Sequence, residues 1–186
     1  MFIAPLKYPK KIPEILYYHK TQGTYRQNNL YNMLSTKTGK KHGFLVTWVK
    51  NSNLKDYYEG NCLFIGFIIT SPTRNGFGEK LLNFAKQLSK KDKCNGHIQL
   101  WADGSFMPQN VPHLFYRKNG FSTLDEKIDK KMDKFIKSGK DATHKDFPNM
   151  PMFYPAPDKY PTPKTHKKPS IFQKLKTFLR KYFNFP

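Results

Sequence analysis

Only two residues of the chain are cysteine, Cys62 and Cys94, too few and too far apart for a disulfide framework or a zinc site. That scarcity points to a reducing, intracellular setting in which either thiol is an incidental core residue. Long apolar runs are also missing, since Cys62 to Ile69 falls far short of the ~20 residues that cross a bilayer. The opening stretch, Met1 to Lys10, lacks the apolar core of a secretory signal. Acidic residues are few, 13 against 33 Lys and Arg, which leaves a formal net charge of +20. Such a field draws in polyanions over a Debye length, so nucleic acid, an anionic membrane and a multiply phosphorylated cofactor all qualify as partners. Charge alone does not choose among them. The expected location is cytoplasmic, with peripheral attachment to a membrane surface as its variant.

Taken in order, the chain begins with prolines at 5, 9 and 13, which make residues 1–13 an extended arm. Glu14 to Tyr18 and Tyr25 to Leu34 space their aromatic and apolar residues as short helices do. Thr36 to Gly43 is turn-like, and Phe44 to Val49 reads as a strand that Asn51–Asn53 ends. A polar loop is expected over Asp56 to Asn61. The run Cys62 to Ile69 is apolar on both alternating faces, as in a central strand covered on two sides, and Gly66 in its middle marks a bulge. Leu81, Leu82, Ala85 and Leu88 recur at helical spacing within Gly78 to Ser89, Asn95-Gly96 closes that helix, and His97 to Ala102 is the next strand. Strand, helix, strand in this order implies a right-handed crossover and a parallel pair.

Farther on, Pro108 and Pro112 suit helix starts, and Leu114 to Gly120 ends on an Asn-Gly helix stop. Leu124 to Ile136 is a lysine-rich amphipathic helix with Leu124, Ile128, Met132 and Ile136 on one stripe, and Met152 to Tyr154 suits a short edge strand. The expected organisation is the arm, a mixed α/β domain over 14–157, a Pro/Lys-rich linker over 158–169, and a basic amphipathic C-terminal helix over 170–186. In that last segment Ile171, Phe172, Leu175, Phe178, Leu179, Tyr182 and Phe183 lie on one side. There is no internal repeat.

A strand, then Gly76-Phe77-Gly78, then a helix brings backbone amides and the positive end of a helix dipole to one point, a phosphate cradle in outline. The dinucleotide fingerprint does not fit, because its third glycine is missing, and the spacing is wrong for the phosphate-binding loop of nucleotide hydrolases. A second element follows at a suitable distance: the strand 97–102, then a helix ending Phe115-Tyr116-Arg117-Lys118-Asn119-Gly120-Phe121. In order, the two motifs resemble those of the GNAT superfamily of acyl-CoA-dependent N-acetyltransferases. That family's acyl-CoA loop runs Arg/Gln-x-x-Gly-x-Gly/Ala, and its later helix commonly ends Phe-Tyr-x-Lys-x-Gly-Phe. The likeness covers residues 62–121 and departs at the loop, where Thr73 takes the first position and Arg74 stands one place later.

The resemblance implies a GNAT-like fold, a central, splayed mixed sheet flanked by helices, with the basic C-terminal extension added to it. By the same likeness the backbone at Ile68, Ile69 and Thr70 pairs with pantetheine, and Arg74, Asn75, Gly76, Phe77 and Gly78 hold the pyrophosphate. Gln109 stands where the family often has an Asn that touches the pantetheine arm. Tyr116 matches the tyrosine that gives a proton to the departing CoA thiolate. Acetyl-CoA is the implied acyl donor, an unidentified primary amine the acceptor, and no metal is implied.

An amine arrives as an ammonium, so something must take its proton. Glu59, just ahead of the central strand, is the first candidate base; Asp103 and His113 are the others. A different class of function stays open: a basic nucleic-acid-binding or membrane-associated protein with a degenerate, non-catalytic CoA-binding domain. Against nucleic acid, the aromatics of 44–48 and 62–67 are committed to strands and not left to stack on bases. The C-terminal stripe, flanked by Lys174, Lys176, Arg180 and Lys181, fits an anionic membrane surface and equally a helix docked on protein.

Overall fold

The computed structural model describes residues 16–22, 28–54, 57–72, 75–105, 111–158 and 160. The expected arm and C-terminal helix lie outside these residues, as do nearly all of the linker and Thr73, Arg74 and Gln109. Six strands form one mixed sheet in sequence order: β1 (Leu16–Gln22), β2 (Asn29–Ser35), β3 (Lys41–Leu54), β4 (Tyr58–Thr70), β5 (Ile98–Ala102) and β6 (Met150–Tyr154). Neighbours are antiparallel except β4 and β5, the parallel pair that the strand, helix, strand order predicts. Helices α1 (Phe77–Lys91), α2 (His113–Lys118) and α3 (Glu126–Ser138) flank the sheet. The fold is therefore mixed α/β, with β6 as the expected edge strand.

Two of the expected helices are strands. Leu16–Gln22 and Asn29–Ser35 form a hairpin in which Tyr18 faces Met33. Tyr31, Met33 and Ser35 are buried on alternate positions, and the Phe84 ring of α1 stacks on Tyr18 at 3.8 Å and meets Tyr31 edge-on at 5.2 Å. A ladder on both sides of β2 and one buried face outweigh a local spacing that short segments satisfy by chance. The expected stop at Asn51–Asn53 and the polar loop over 56–61 are likewise replaced by ladder, with Asn51 opposite Asn61 and Asn53 opposite Glu59. Leu124 stands outside α3 at φ 63, because Asp125 caps the helix by accepting from the amides of Lys127 and Ile128.

Gly66 does mark a bulge. Val46 pairs with Phe67 and Thr47 with Ile65, which leaves Gly66 as the extra residue on β4. The consequence is an exchange of faces. Leu63 and Ile65 point toward α1; past the bulge Ile68, opposite the buried Leu45, takes that side, while Phe67 and Ile69 turn outward, 58% and 50% exposed. The central strand is thus not covered on both sides. Leu81, Leu82 and Ala85 of α1 close the core over Leu45, Leu63, Ile65 and Leu100, all buried in one cluster.

Candidate functional site

β4 and β5 pair only from Leu63–Ile98 to Ile65–Leu100. Beyond that point β4 continues to Thr70 and β5 to Ala102, so the two parallel strands part directly after the bulge, where added twist is expected. A groove of about 690 Å³ opens there, within the usual range for small-molecule sites. Ile68, Ile69 and Thr70 form one wall, and Gly76 and Gly78 line the start of α1. Pro112, Leu114, Phe115, Tyr116 and Lys118 come from α2 and its cap, while Phe135, Ile136, Gly139, Lys140 and Asp141 at the end of α3 close the far side.

The local chemistry follows from the glycines. Gly76 is the N-cap of α1 at φ 72, in the left-handed region, and brings no side chain to cap the first turn. Gly78 sits against α2: a Cβ there would lie 3.0 Å from Cζ of Phe115. Phe77 between them points inward, buried and stacked on His42 at 4.3 Å. Tyr116 is 7% exposed, yet it lines the groove, with its ring between Phe115 and Phe121 at 5.4 and 5.8 Å. Burial raises its pKa far above the ordinary 10.0, so the hydroxyl stays protonated through the neutral range. Arg117, the next residue, fixes the wall by a paired contact to Asp133 at 2.8 Å and a bond to buried Asp129 at 3.3 Å.

No protein-family model matches the chain, and no curated protein matches it. Among solved structures it is similar to one titled "Crystal structure of bacterial toxin", at 14% identity and a TM-score of 0.46 over 75% of this chain and 90% of that one. A likeness so distant carries no argument about activity.

Of the residues singled out from sequence, Ile68, Ile69, Thr70, Gly76, Gly78 and Tyr116 come together in the groove. Phe77 belongs to the core, Asn75 lies beside the groove without lining it, and Arg74 and Gln109 are outside the described residues. Glu59 is not brought there. It stands exposed opposite Asn53, nine residues before Ile68, or about 30 Å along an extended strand. His113 is fully buried, donates from Nε2 to the Pro148 carbonyl at 3.0 Å and stacks on Phe147. Burial lowers its pKa, which describes a neutral core histidine. Asp103 accepts from the Ser105 amide at 2.7 Å, which holds its carboxyl below the usual range, and it does not line the groove. The groove's own carboxylates are Glu79 and Asp141, which the sequence reading missed. Their signals were modest: Glu79 directly follows Gly78, and Asp141 lies two past Gly139, the left-handed C-cap of α3. Among the described residues no His, Cys, Asp and Glu cluster could hold a metal, and no helix is long and apolar enough to cross a membrane.

Proposed function

We propose that the chain is an acyl-CoA-dependent N-acyltransferase of GNAT type that moves an acyl group, acetyl in the simplest case, to a primary amine. The observation that carries this reading is convergence. The strand backbone at Ile68–Thr70, the glycine start of α1 and the Tyr116 phenol, each assigned to acyl-CoA by resemblance, line one groove. The groove suits that donor on three counts. β4 past Ile65 has no ladder partner on the β5 side and is free to pair with the amides of a pantetheine arm. Gly78 leaves space that a Cβ would fill against Phe115. Lys118 and Lys140 put cations on the lining, and the open first turn of α1 favours an anion.

When bound, acetyl-CoA supplies an activated thioester carbonyl. The backbone of β4 orients that carbonyl beside the amine, and alignment alone lowers the barrier substantially. As the C–N bond forms and the C–S bond breaks, the Tyr116 hydroxyl donates its hydrogen bond and proton to the leaving sulfur. Its raised pKa keeps the donating form present. Water accepts the ammonium proton, since Glu59 is remote. Tyr116→Phe should lower turnover by roughly 10²-fold or more while leaving the affinity for CoA within about twofold. Release of free CoA thiol from acetyl-CoA in the presence of an amine panel is the assay, and unchanged turnover would remove Tyr116 from this role.

A further inference from the structure

The side of the sheet opposite α1 keeps an aromatic surface open. Tyr17, Phe67 and Trp101 on it are 43%, 58% and 55% exposed. Between them Trp48 and Phe64 pack ring to ring at 4.5 Å. Gly66 lets the Trp48 ring lie flat on the strand, since a Cβ at Gly66 would stand 2.5 Å from that ring. A level platform results across β3, β4 and β5. Two lysines hold their ammonium groups against its rings: Lys41 at 4.8 Å from Phe44 and Lys50 at 5.7 Å from Phe64. By strand alternation no Asp or Glu within β1 to β5 projects on this face. The nearest carboxylate in register is Asp103, two positions past Trp101 and already bonded to the Ser105 amide. The commitment of these aromatics to strands, which argues against base stacking when only the sequence is considered, is what displays them.

We propose that this face binds single-stranded nucleic acid, with bases stacking on Phe67 and Trp101 and with Lys41 and Lys50 meeting the phosphates. Planar rings on adjacent strands offer what unpaired bases need, and a base pair inside a duplex does not present its flat face in this way. Charge complementarity supplies the rest, through the lysines on the rings and a chain whose formal charge is +20. A lipid surface would be served as well by aliphatic side chains, whereas three of the four most exposed apolar residues here are aromatic, Ile69 being the exception. The site lies across the sheet from α1 and does not depend on acyl-CoA binding.

Both tryptophans of the chain, Trp48 and Trp101, lie on this face, so their emission reports its occupancy. A single-stranded oligothymidylate of about twelve nucleotides should quench it saturably. Phe67→Ala and Trp101→Ala should each weaken binding roughly five- to hundred-fold, the second read by anisotropy of a labelled oligonucleotide, while Phe67→Tyr binds as the parent does. Lys41→Gln with Lys50→Gln should reduce the slope of log affinity against log salt by about one. Thermal melts of the variants guard against loss of fold. Each of the following would overturn the proposal: parental affinity in both alanine variants; equal binding of a duplex of the same length; tryptophans already shielded from acrylamide before any addition, which would mean that another part of the chain or a second copy covers them; or phosphatidylglycerol vesicles shifting the emission when the oligonucleotide does not.

Discussion

Replacing Asp129 should loosen the groove from outside. Its carboxylate is fully buried and accepts from Ser122 Oγ at 2.5 Å, Thr123 Oγ1 at 2.9 Å, the Thr123 amide at 3.0 Å, the Tyr160 hydroxyl at 3.0 Å and Arg117 Nη1 at 3.3 Å. Through these bonds the end of α2 and the first turns of α3 are tied together. Valued singly at about 1.5–3 kcal/mol each, the bonds would sum to far more than one residue can contribute. Arg117 keeps its paired bonds to Asp133, however, so its charge is not stranded in Asp129→Ala. The expected cost is then about 3–5 kcal/mol, the range for breaking a buried charged centre. Asp133 is 41% exposed, and Asp133→Ala should cost about 1 kcal/mol or less despite its shorter contacts. In a chain of this size the two correspond to falls in Tm of roughly 6–20 °C and under about 4 °C. Urea titration and circular dichroism melts of both variants measure the difference. Equal losses, or a loss below about 1 kcal/mol at Asp129, would refute the reasoning that burial decides which carboxylate matters.

Gly66→Ala should destabilise by about 1–3 kcal/mol and shift tryptophan emission, because the added Cβ meets the Trp48 ring at 2.5 Å; an unchanged melt and spectrum would contradict that packing. Stability should fall as the pH drops below the ordinary histidine value of 6.5. Burial lowers the pKa of His113, so the unfolded chain takes up a proton there that the folded chain refuses, and the stability present above 6.5 is lost on acidification. His113→Gln should flatten this slope in urea titrations run across pH 5 to 7, to the extent not shared with His97, whose pKa burial also lowers. On the alkaline side the raised pKa of Tyr116 predicts loss of stability above its ordinary value of 10.0, and Tyr116→Phe should move that loss upward.

The legible parts of the fold were those in which local pattern and tertiary environment agree. Leu81, Leu82, Ala85 and Leu88 face a sheet at helical spacing, and α1 forms where they predict it. Gly66 could be read as a bulge because a glycine inside an apolar strand has few other uses. What sequence concealed was the effect of the bulge: one extra residue exchanges the faces of β4, and no composition rule says on which side Phe67 will emerge. The hairpin of β1 and β2 was hidden for a related reason, since its aromatics fit two periodicities and only pairing with β3 and the Phe84 ring settles between them. Within the groove, motif residues that act through backbone, such as Gly76 and Gly78, could be found from spacing. Glu59 was placed near the site only by adjacency to a strand, and adjacency along an extended chain becomes distance. Phe135, Ile136 and Asp141 were invisible because a wall supplied by a distant helix leaves no local signature.

The central claim is that the groove between the parted strands takes an acyl-CoA. Isothermal calorimetry with acetyl-CoA on the full chain, alongside Gly78→Leu, tests it directly. A leucine there must displace Phe115, whose ring edge lies 3.0 Å from where its Cβ would stand, and so fill the groove. One-site binding to the parent chain, weakened at least tenfold in a Gly78→Leu variant that still melts cooperatively, is the predicted result. Absence of heat from the parent chain, or equal affinity in both, would contradict the assignment.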